Sequence, residues 1–393
     1  MFELDAQDKR SLTDFVRDLV RIPSPPGHEG EVADRLAAEM RAVGLQDVHR
    51  DKVGSVLGRL GTGAAPVLVL NGHMDTVGIG DSNAWQQDPF GAALKDGVIH
   101  GRGACDMKGG LAALVYGTKL LHDAGVSLRG TLYVVGVVQE ETCEGLAMRI
   151  LMEEEGLKPD YVVLGEPSDL RLALGHRGRI ELKVTTRGRA AHGSAPERGE
   201  NAIYHMARLA LGVEQLNRSL GTDPILGRAS ISLNTIAGGQ DLNVVPDTCV
   251  AQVDRRLTRG EDETGVVKEV LAVADRAGVS ADIEVLQHDC PSYNGYRCTA
   301  HQFFPAWVTS RHHPLAQAML AAASARLGHE PDAMIWAFST DGAYTAGTAG
   351  VPTVGFGPGE ERLAHTVEER VRVDDLFAAA EVYARLAHSL LGE

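Results

Sequence analysis

The chain has little of three things: basic residues, paired cysteines and long apolar runs. Its 38 lysines and arginines are outnumbered by 53 acidic residues, and the formal net charge of −15 argues against a nucleic-acid partner. Five cysteines without a C-x-x-C pair predict a reducing cytoplasm and not a disulfide framework. No apolar run approaches the length of a membrane span, and the first residues show no signal-peptide pattern. We therefore expect a cytoplasmic protein without a membrane partner.

The length and apolar content of the chain suffice for two domains, or for one large domain with an insertion. Its 393 residues are 44% hydrophobic, so a sizeable core can be buried. Apolar runs predict buried strands at 67–70, 131–138, 161–164 and 352–356. Helices are predicted at about 11–22, 31–43, 111–124, 144–155, 314–327 and 374–391. Strands that alternate with helices in this way predict an α/β fold.

From Arg179 to about residue 293 the pattern of the sequence changes. The predicted elements are a strand at 180–186, a helix at 201–216, strands at 229–236 and 248–256, a helix at 262–277 and a strand at 281–287. This β-α-β-β-α-β order is typical of ferredoxin-like units. We therefore predict an inserted domain at 179–293 and a main domain made of 1–178 and 294–393.

Three of the predicted buried strands end in acidic or imidazole side chains. The run 67–70 leads to His73 and Asp75, the run 131–138 leads to Glu140 and Glu141, and the run 161–164 leads to Glu166. Each ending taken alone fits a satisfied core histidine or a solvated turn. In open α/β sheets, however, the site lies beyond the carboxyl ends of the strands. The repetition therefore predicts that these side chains converge.

A glycine-rich segment at 101–110 carries one further carboxylate, Asp106. A dinucleotide-binding loop, and with it a nucleotide-dependent oxidoreductase, is the competing interpretation of these glycines. The third glycine position is Asp106, however, and no clear strand runs into the segment, so we disfavour that interpretation. Asp106 is then either a helix cap or a ligand for a closely approaching ion.

Together with His365 near the C-terminus, these side chains form a donor set of two imidazoles and several carboxylates. Such a set without thiolates suits zinc, with manganese or cobalt as alternatives, whereas magnesium and calcium sites do not need histidine. If one carboxylate bridges, the set can hold two divalent ions roughly 3.5–4 Å apart. We therefore expect two metal ions as cofactors.

Five motifs carry a resemblance to a known family that extends over essentially the whole chain. They are Gly72-His73-Met74-Asp75, Gly101-Arg102-Gly103 with Asp106-Met107-Lys108-Gly109-Gly110, Glu140-Glu141, Gly165-Glu166-Pro167 and Ala364-His365-Thr366. In this order they resemble the di-zinc hydrolases that include acetylornithine deacetylase, succinyl-diaminopimelate desuccinylase, aminoacylase and carboxypeptidase G. The stretches 290–307 and 336–342 look closer to selenium-metabolism-linked hydrolases and general peptidases of that family. The resemblance implies a catalytic domain with a mixed, mainly parallel sheet between helices, and an inserted ferredoxin-like α+β lid and dimerisation domain.

The resemblance also implies a role for each metal-site residue. One zinc would be held by His73, Asp106 and Glu166. Asp106 would bridge to a second zinc that Glu141 and His365 complete. The peptide bond between Asp106 and Met107 would be cis.

Five further roles follow from the same resemblance. Asp75 would orient His73, and Glu140 would be the general base. His192 in the lid would reach across a homodimer to hold the oxyanion of the partner's site, the competing interpretation being an exposed, inert turn residue. Asn234 and Arg256 would bind the substrate, with a surface ion pair as the competing interpretation for the arginine.

These inferences predict a metal-dependent hydrolase that cleaves the amide bond of N-acyl amino acids or short peptides, as deacetylases and desuccinylases do. A dipeptidase or carboxypeptidase is the alternative within the same chemistry. A non-catalytic binding protein on the same fold is the alternative from a different class, and it is disfavoured because every ligand position and Glu140 are filled.

Overall fold

The computed structural model describes residues 2–393. In that range helices α1 to α8 span, in order, Ala6–Arg21, Gly30–Ala42, Gly109–Asp123, Leu146–Glu153, Ala202–Ser219, Glu263–Arg276, Pro314–Leu327 and Val373–Leu391. Strands β1 to β12 span Gln46–Arg50, Val56–Gly61, Val67–His73, Ala93–Lys95, Val98–His100, Thr131–Val137, Tyr161–Leu164, Leu172–His176, Gly178–Arg187, Ala191–His192, Thr222–Asp223 and Gly227–Arg228. Strands β13 to β23 span Ser230–Gly238, Val244–Val245, Thr248–Leu257, Ala281–Val285, Gln287–His288, Ala300–His301, Phe303–Phe304, Trp307–Val308, Ala333–Trp336, Thr353–Gly355 and Arg370–Arg372. Of the helices within residues 2–393, none has both the length and the apolar character needed to cross a bilayer.

The main sheet has nine strands in the order β1-β2-β6-β3-β7-β22-β8-β20, with β21 paired to β8. Its central strands β6, β3, β7 and β22 run parallel to one another. The flanking strands β2 and β8 run antiparallel to their neighbours β6 and β22. The predicted α/β class with a mixed sheet is therefore confirmed. Because three parallel strands end at one edge, the residues that follow them share that edge.

The central strand β3 owes its position to its apolar sequence. All seven of its residues are buried, as expected for a strand covered on both faces. Helix α3 packs against β3 and β6 and approaches the end of β7 closely. A Cβ added at Gly110 in α3 would lie only 2.1 Å from the carbonyl oxygen of Gly165, so only glycine fits there. This contact brings the segment before α3 beside the residue that follows Gly165.

A separate antiparallel sheet of five strands begins at Gly178. Its strands have the order β13-β15-β9-β16, with β19 also paired to β9, and α5 and α6 pack against its strands and each other. Alternate residues of β9 are buried, including Ile180, Leu182 and Val184, in a cluster of apolar side chains distinct from that of the main sheet. The element order is that of the predicted ferredoxin-like unit. Two separate apolar clusters fit the predicted boundary near 178/179, whereas Phe303 of β19 packs against the second cluster beyond the predicted boundary at 293/294. Both boundaries stay a prediction.

Several strands of the main sheet were not predicted from the sequence, among them β1 at one edge and β8, β20 and β21 at the other. Strand β1 is polar and mostly exposed, β8 includes Gly175, and β20 has two residues. Such short runs give weak periodicity. The pairing of β8 with β22, and of β20 and β21 with β8, decides their conformation.

Candidate metal centre

The predicted convergence at the carboxyl edge of the main sheet is present. His73 is the last residue of β3, and its backbone pairs with Val137, the last residue of β6. Glu140 and Glu141 lie in a short 3-10 turn just beyond β6, and Glu166 lies two residues beyond β7. His73, Glu140 and Glu166 are buried. Parallel strands thus carry these side chains to a common position.

Asp106 reaches the same position from the segment before α3. Its backbone and that of Met107 depart from helical geometry inside a tight turn, and the peptide bond between them is cis, as the resemblance implied. The turn follows Gly103, whose positive φ of 83° suits glycine. His365 lies in the loop before β23 and also has a positive φ, of 62°. Local backbone geometry therefore directs both side chains.

The five predicted ligands form two groups that share Asp106. In the first group, His73 Nε2 lies 3.0 Å from Asp106 Oδ1 and 3.9 Å from Glu166 Oε1. In the second, His365 Nε2 lies 3.2 Å from Asp106 Oδ2 and 3.0 Å from Glu141 Oε2. Within each group the donor atoms all lie within 4.8 Å of one another. Each oxygen of Asp106 thus faces a different group, the arrangement of a bridging carboxylate.

These donor atoms fit two divalent ions. Nitrogen and oxygen ligands bind zinc at about 2.0–2.2 Å, so atoms 3.0–3.9 Å apart can face one ion. The oxygen Oε1 of Glu140 is buried beside the first group and has no hydrogen-bond partner among residues 2–393. An unpartnered buried carboxylate oxygen is costly unless a cation or a polar ligand meets it.

The pKa values show how much negative charge is concentrated here. Burial and the Asp106 carboxylate raise the pKa of Glu166 well above its ordinary range, against the opposing effect of His73. Burial alone would lower the pKa of His73, but Glu166 and Asp106 raise it well above its usual value. Hydrogen bonds to Asp106 and Glu141 raise the pKa of His365 to about 10. Since ligands must lose these protons, binding of divalent ions would release protons.

Asp75 contacts His73 differently from the prediction. Nδ1 of His73 lies 2.8 Å from the backbone carbonyl oxygen of Asp75 and 3.8 Å from its carboxylate. The Asp75 carboxylate instead accepts hydrogen bonds from the backbone N–H groups of Glu140 (3.1 Å) and Glu141 (3.0 Å). The carbonyl therefore fixes the tautomer that leaves Nε2 free for a ligand bond. The carboxylate fixes the turn that carries the two glutamates.

A cavity of about 910 Å3 opens over the two groups. Asp106, Glu140, Glu141, Glu166 and His365 line it. The arginines that line it are Arg171, Arg177, Arg179, Arg256 and Arg362. Residues 337–339 also line it. The wall of the cavity thus combines positive groups with the acidic cluster.

Of the three site residues predicted between 179 and 293, one lines the cavity and two do not. Arg256 lines the cavity, and its Nε lies 2.8 Å from Asp254 Oδ1. Asn234 is exposed at a β-bulge of the edge strand β13, and it is not among the cavity residues. His192 is also exposed and away from the cavity of its own chain, and its Nδ1 accepts a hydrogen bond from the Ser194 N–H at 3.1 Å.

One cavity residue that sequence reasoning missed is Glu144. Its carboxylate accepts hydrogen bonds from Ser339 Oγ at 2.5 Å and from Arg179 at 2.9 Å. Burial raises the pKa of Glu144, and Arg179 opposes that shift. The sequence placed Glu144 at the start of a helix, and only its position three residues after Glu141 could have drawn attention to it.

Comparison with known proteins gives consistent results. The profile of "Peptidase family M20/M25/M40" matches residues 69–389. The uncharacterized protein YgeY of Escherichia coli K12 is 37% identical over 381 residues, which are 97% of this chain and 94% of that protein. A succinyl-diaminopimelate desuccinylase of Stenotrophomonas maltophilia is 29% identical over 392 residues, which are 97% of this chain and 99% of that enzyme.

Solved structures show the same fold. A tripeptidase from Staphylococcus aureus superimposes with a TM-score of 0.75 at 23% identity, covering 99% of each chain. The Bacillus subtilis YXEP protein, described as a dinuclear metal binding peptidase, superimposes with a TM-score of 0.70 at 18% identity and covers 98% of this chain and 99% of that one.

Proposed function

We propose that this chain, which belongs to peptidase family M20/M25/M40, hydrolyses an amide bond with the help of two divalent ions. The proposed substrates are N-acyl amino acids or short peptides. The observation that carries the proposal is that two ligand groups share Asp106 beside Glu140, whose oxygen Oε1 has no hydrogen-bond partner within residues 2–393. We propose zinc as the metal, with cobalt or manganese as alternatives, because the donor set combines imidazoles and carboxylates.

Each residue of the centre has a proposed task. His73, Asp106 and Glu166 would hold one ion, and Asp106, Glu141 and His365 would hold the other. When bound, two such ions would lower the pKa of a water molecule and polarise the scissile carbonyl. Glu140 takes a proton of the water at Oε1 as the water oxygen adds to the carbonyl carbon, and it delivers that proton to the amine nitrogen as the C–N bond breaks.

The cavity supports the proposed substrate class. A volume of about 910 Å3 suits a small molecule or a short peptide. We propose that Arg256 holds the carboxylate of the amino-acid part, since a guanidinium recognises a carboxylate through two hydrogen bonds. The desuccinylase relatives favour an N-acyl substrate. A dipeptidase or carboxypeptidase is the second candidate, because Asp169, Glu360 and Glu361 on the cavity wall could hold a peptide's ammonium group.

Removal of the metal ions tests the proposal directly. Dialysis against a chelator should lower hydrolysis to below about 1% of the starting rate, and zinc, cobalt or manganese should restore it. The measurement uses N-acetyl amino acids, N-succinyl amino acids and dipeptides, with the metal content determined in parallel. Hydrolysis of acyl compounds alone or of dipeptides alone would separate the two candidates. A metal-free protein with full activity, or a metal-loaded protein that cleaves no member of the set, would refute the proposal.

Replacement of Arg256 by methionine tests the carboxylate contact. We expect KM for an N-acyl amino acid to rise about 10- to 100-fold, because a hydrogen-bonded ion pair is lost. KM for the matching carboxamide, which lacks the charge, should change little. The control is Arg187→Met, which removes an exposed guanidinium paired with Asp282. Equal effects of Arg256→Met on acid and amide would contradict the assignment.

We also propose a homodimer formed through the inserted domain. Within residues 2–393 the edge strand β13 pairs with no strand other than β15, and Ile236 in β13 and Leu242 in the loop after it are exposed. Unpaired edges of this kind join readily to a second copy. In such a dimer His192 of the partner subunit would help to hold the oxyanion. The remaining sequence-based expectation, a cytoplasmic location, stays a prediction.

Mixing two inactive variants tests the shared site. His192→Ala and Glu140→Gln protein should each be nearly inactive alone. If one subunit supplies His192 to the other's Glu140, random exchange of subunits should restore about a quarter of the wild-type rate, since half of the dimers are mixed and each has one intact site. No recovery in mixtures that have exchanged subunits would contradict the shared site.

A further inference from the structure

A buried ion pair beside the metal centre has no role in the proposed mechanism. Arg102 and Glu369 are only 2% and 1% exposed, and Nη1 of Arg102 donates a hydrogen bond to Oε2 of Glu369. The guanidinium also donates to the carbonyl of Gly78 at 3.2 Å and lies 5.3 Å from the ring centroid of Trp85. The arginine is therefore held on several sides, and it fixes one oxygen of Glu369.

The other oxygen of Glu369 contacts the segment that carries the shared ligand. Oε1 accepts hydrogen bonds from the backbone N–H groups of Cys105 and Asp106, each at 3.0 Å. The backbone carbonyl of Glu369 accepts a further bond from the Gly101 N–H at 3.1 Å. One residue therefore holds both ends of the segment 101–106, and it fixes the peptide from which the Asp106 carboxylate extends.

Glu369 also belongs to the segment that carries His365. It lies four residues after that histidine and immediately before β23, which pairs with β5. His365 itself is half exposed and lies in a loop. In contrast, His73 ends β3 and Glu166 lies just beyond β7, and neither has a hydrogen bond to Glu369 within residues 2–393. Glu369 thus connects the backbone at Asp106 directly to the segment that carries His365.

We propose that Glu369 is a positioning residue for the second ligand group, formed by Asp106, Glu141 and His365. It fixes the 3.2 Å separation between Asp106 Oδ2 and His365 Nε2 and thereby the affinity of that group for its ion. This inference rests on the proposed two-ion function. The inference has a selective consequence. Loss of the Glu369 carboxylate lowers the affinity for the second ion more than the affinity for the first.

The test is a metal titration of the full-length protein after removal of its ions, with zinc as the probe. The wild type should bind two ions per chain. In Glu369→Gln the amide nitrogen faces Arg102, so the pair is lost while side-chain volume is kept. We expect the second ion to bind about 10- to 100-fold more weakly, the usual effect of losing a partner behind a ligand. The first ion should bind within about threefold of wild type, because His73 and Glu166 are held by the sheet.

A matched control comes from a second buried glutamate, which does not line the cavity. Glu381 in α8 is 3% exposed, pairs with the partly exposed Arg326 and accepts the Leu4 N–H at 2.9 Å. Glu381→Gln removes the same charge from another buried carboxylate, so it should lower the melting temperature while two ions still bind with wild-type affinity. This control separates general destabilisation from an effect on the metal centre.

A double variant provides rescue and guards against misfolding of the single variant. In Arg102→Met with Glu369→Gln, no guanidinium opposes the new amide, and its oxygen can still accept from Cys105 and Asp106. We expect the double variant to regain at least part of the second-ion affinity. Glu369→Gln protein that binds both ions as the wild type does, or loses both equally, would overturn the inference. So would a folded double variant that regains no affinity when the single variant is weakened or unfolded. A wild type that binds fewer than two ions would instead overturn the proposed function.

Discussion

Glu140→Gln protein is expected to retain both ions and to hydrolyse its substrate about 10³- to 10⁴-fold more slowly than the wild type. Glutamine has nearly the same volume and can occupy the same buried place, but it cannot take a proton from water. The Glu140 carboxylate lines the cavity, and its Oε1 has no partner within residues 2–393. Burial and the Glu166 carboxylate raise the pKa of Glu140, and bound cations would oppose that shift.

The measurement is kcat with saturating substrate, together with metal content for each preparation. Glu153→Gln is the control, since Glu153 ends α4 with an exposed carboxylate that bonds to Tyr344. That control should keep its full rate. Glu140→Gln protein that contains both ions and works at the wild-type rate would show that another group moves the proton.

Asp106→Asn protein is expected to lose both ions and nearly all activity. The neutral amide offers one oxygen, whereas the carboxylate offers Oδ1 to the first group and Oδ2 to the second. An amide nitrogen cannot take the place of the second oxygen as a ligand, because it carries two hydrogens. The rate should fall about 10⁴-fold, which corresponds to about 5.5 kcal/mol in the activation barrier.

Metal content and hydrolysis rate are measured at equal concentrations of free zinc. The control is Asp51→Asn, a change of another buried aspartate whose Oδ1 accepts from the N–H groups of Val53, Gly54 and Ser55. Asparagine can keep these three contacts, so the control should bind two ions. An Asp106→Asn protein that also binds two ions would refute the bridging role.

Much of the centre could be predicted because its signals are local. The apolar run of β3 and the polar residues that end it are adjacent in sequence, and the same holds for β6 and β7. Parallel strands then bring these endings to one edge without further information. The convergence of His73, Glu140 and Glu166 therefore follows from the sequence pattern of apolar runs that end in polar residues. His365 follows no such strand, and it was found through its motif.

The rest could not be predicted because it depends on contacts between distant segments. Arg102 and Glu369 are 267 residues apart, and Glu369 lies in the charged run Glu368-Glu369-Arg370, which is typical of a solvated surface. The contact of the Asp75 carboxylate with the Glu140–Glu141 turn likewise needs β3 and β6 to be neighbours. Asn234 and His192 lie outside the cavity of their own chain, so no feature of one chain tests their proposed roles.

The position of β22 in the main sheet has a consequence for the order of events during translation. This strand lies between β7 and β8, yet the ribosome makes it after the separate antiparallel sheet. The five strands of that sheet, β9, β13, β15, β16 and β19, are therefore synthesised before the gap in the main sheet can be filled. A nascent chain that ends near residue 293 already contains His73, Asp106 and Glu166 but lacks His365. The proposed second ligand group, formed by Asp106, Glu141 and His365, is consequently complete only after residue 365 has left the ribosome.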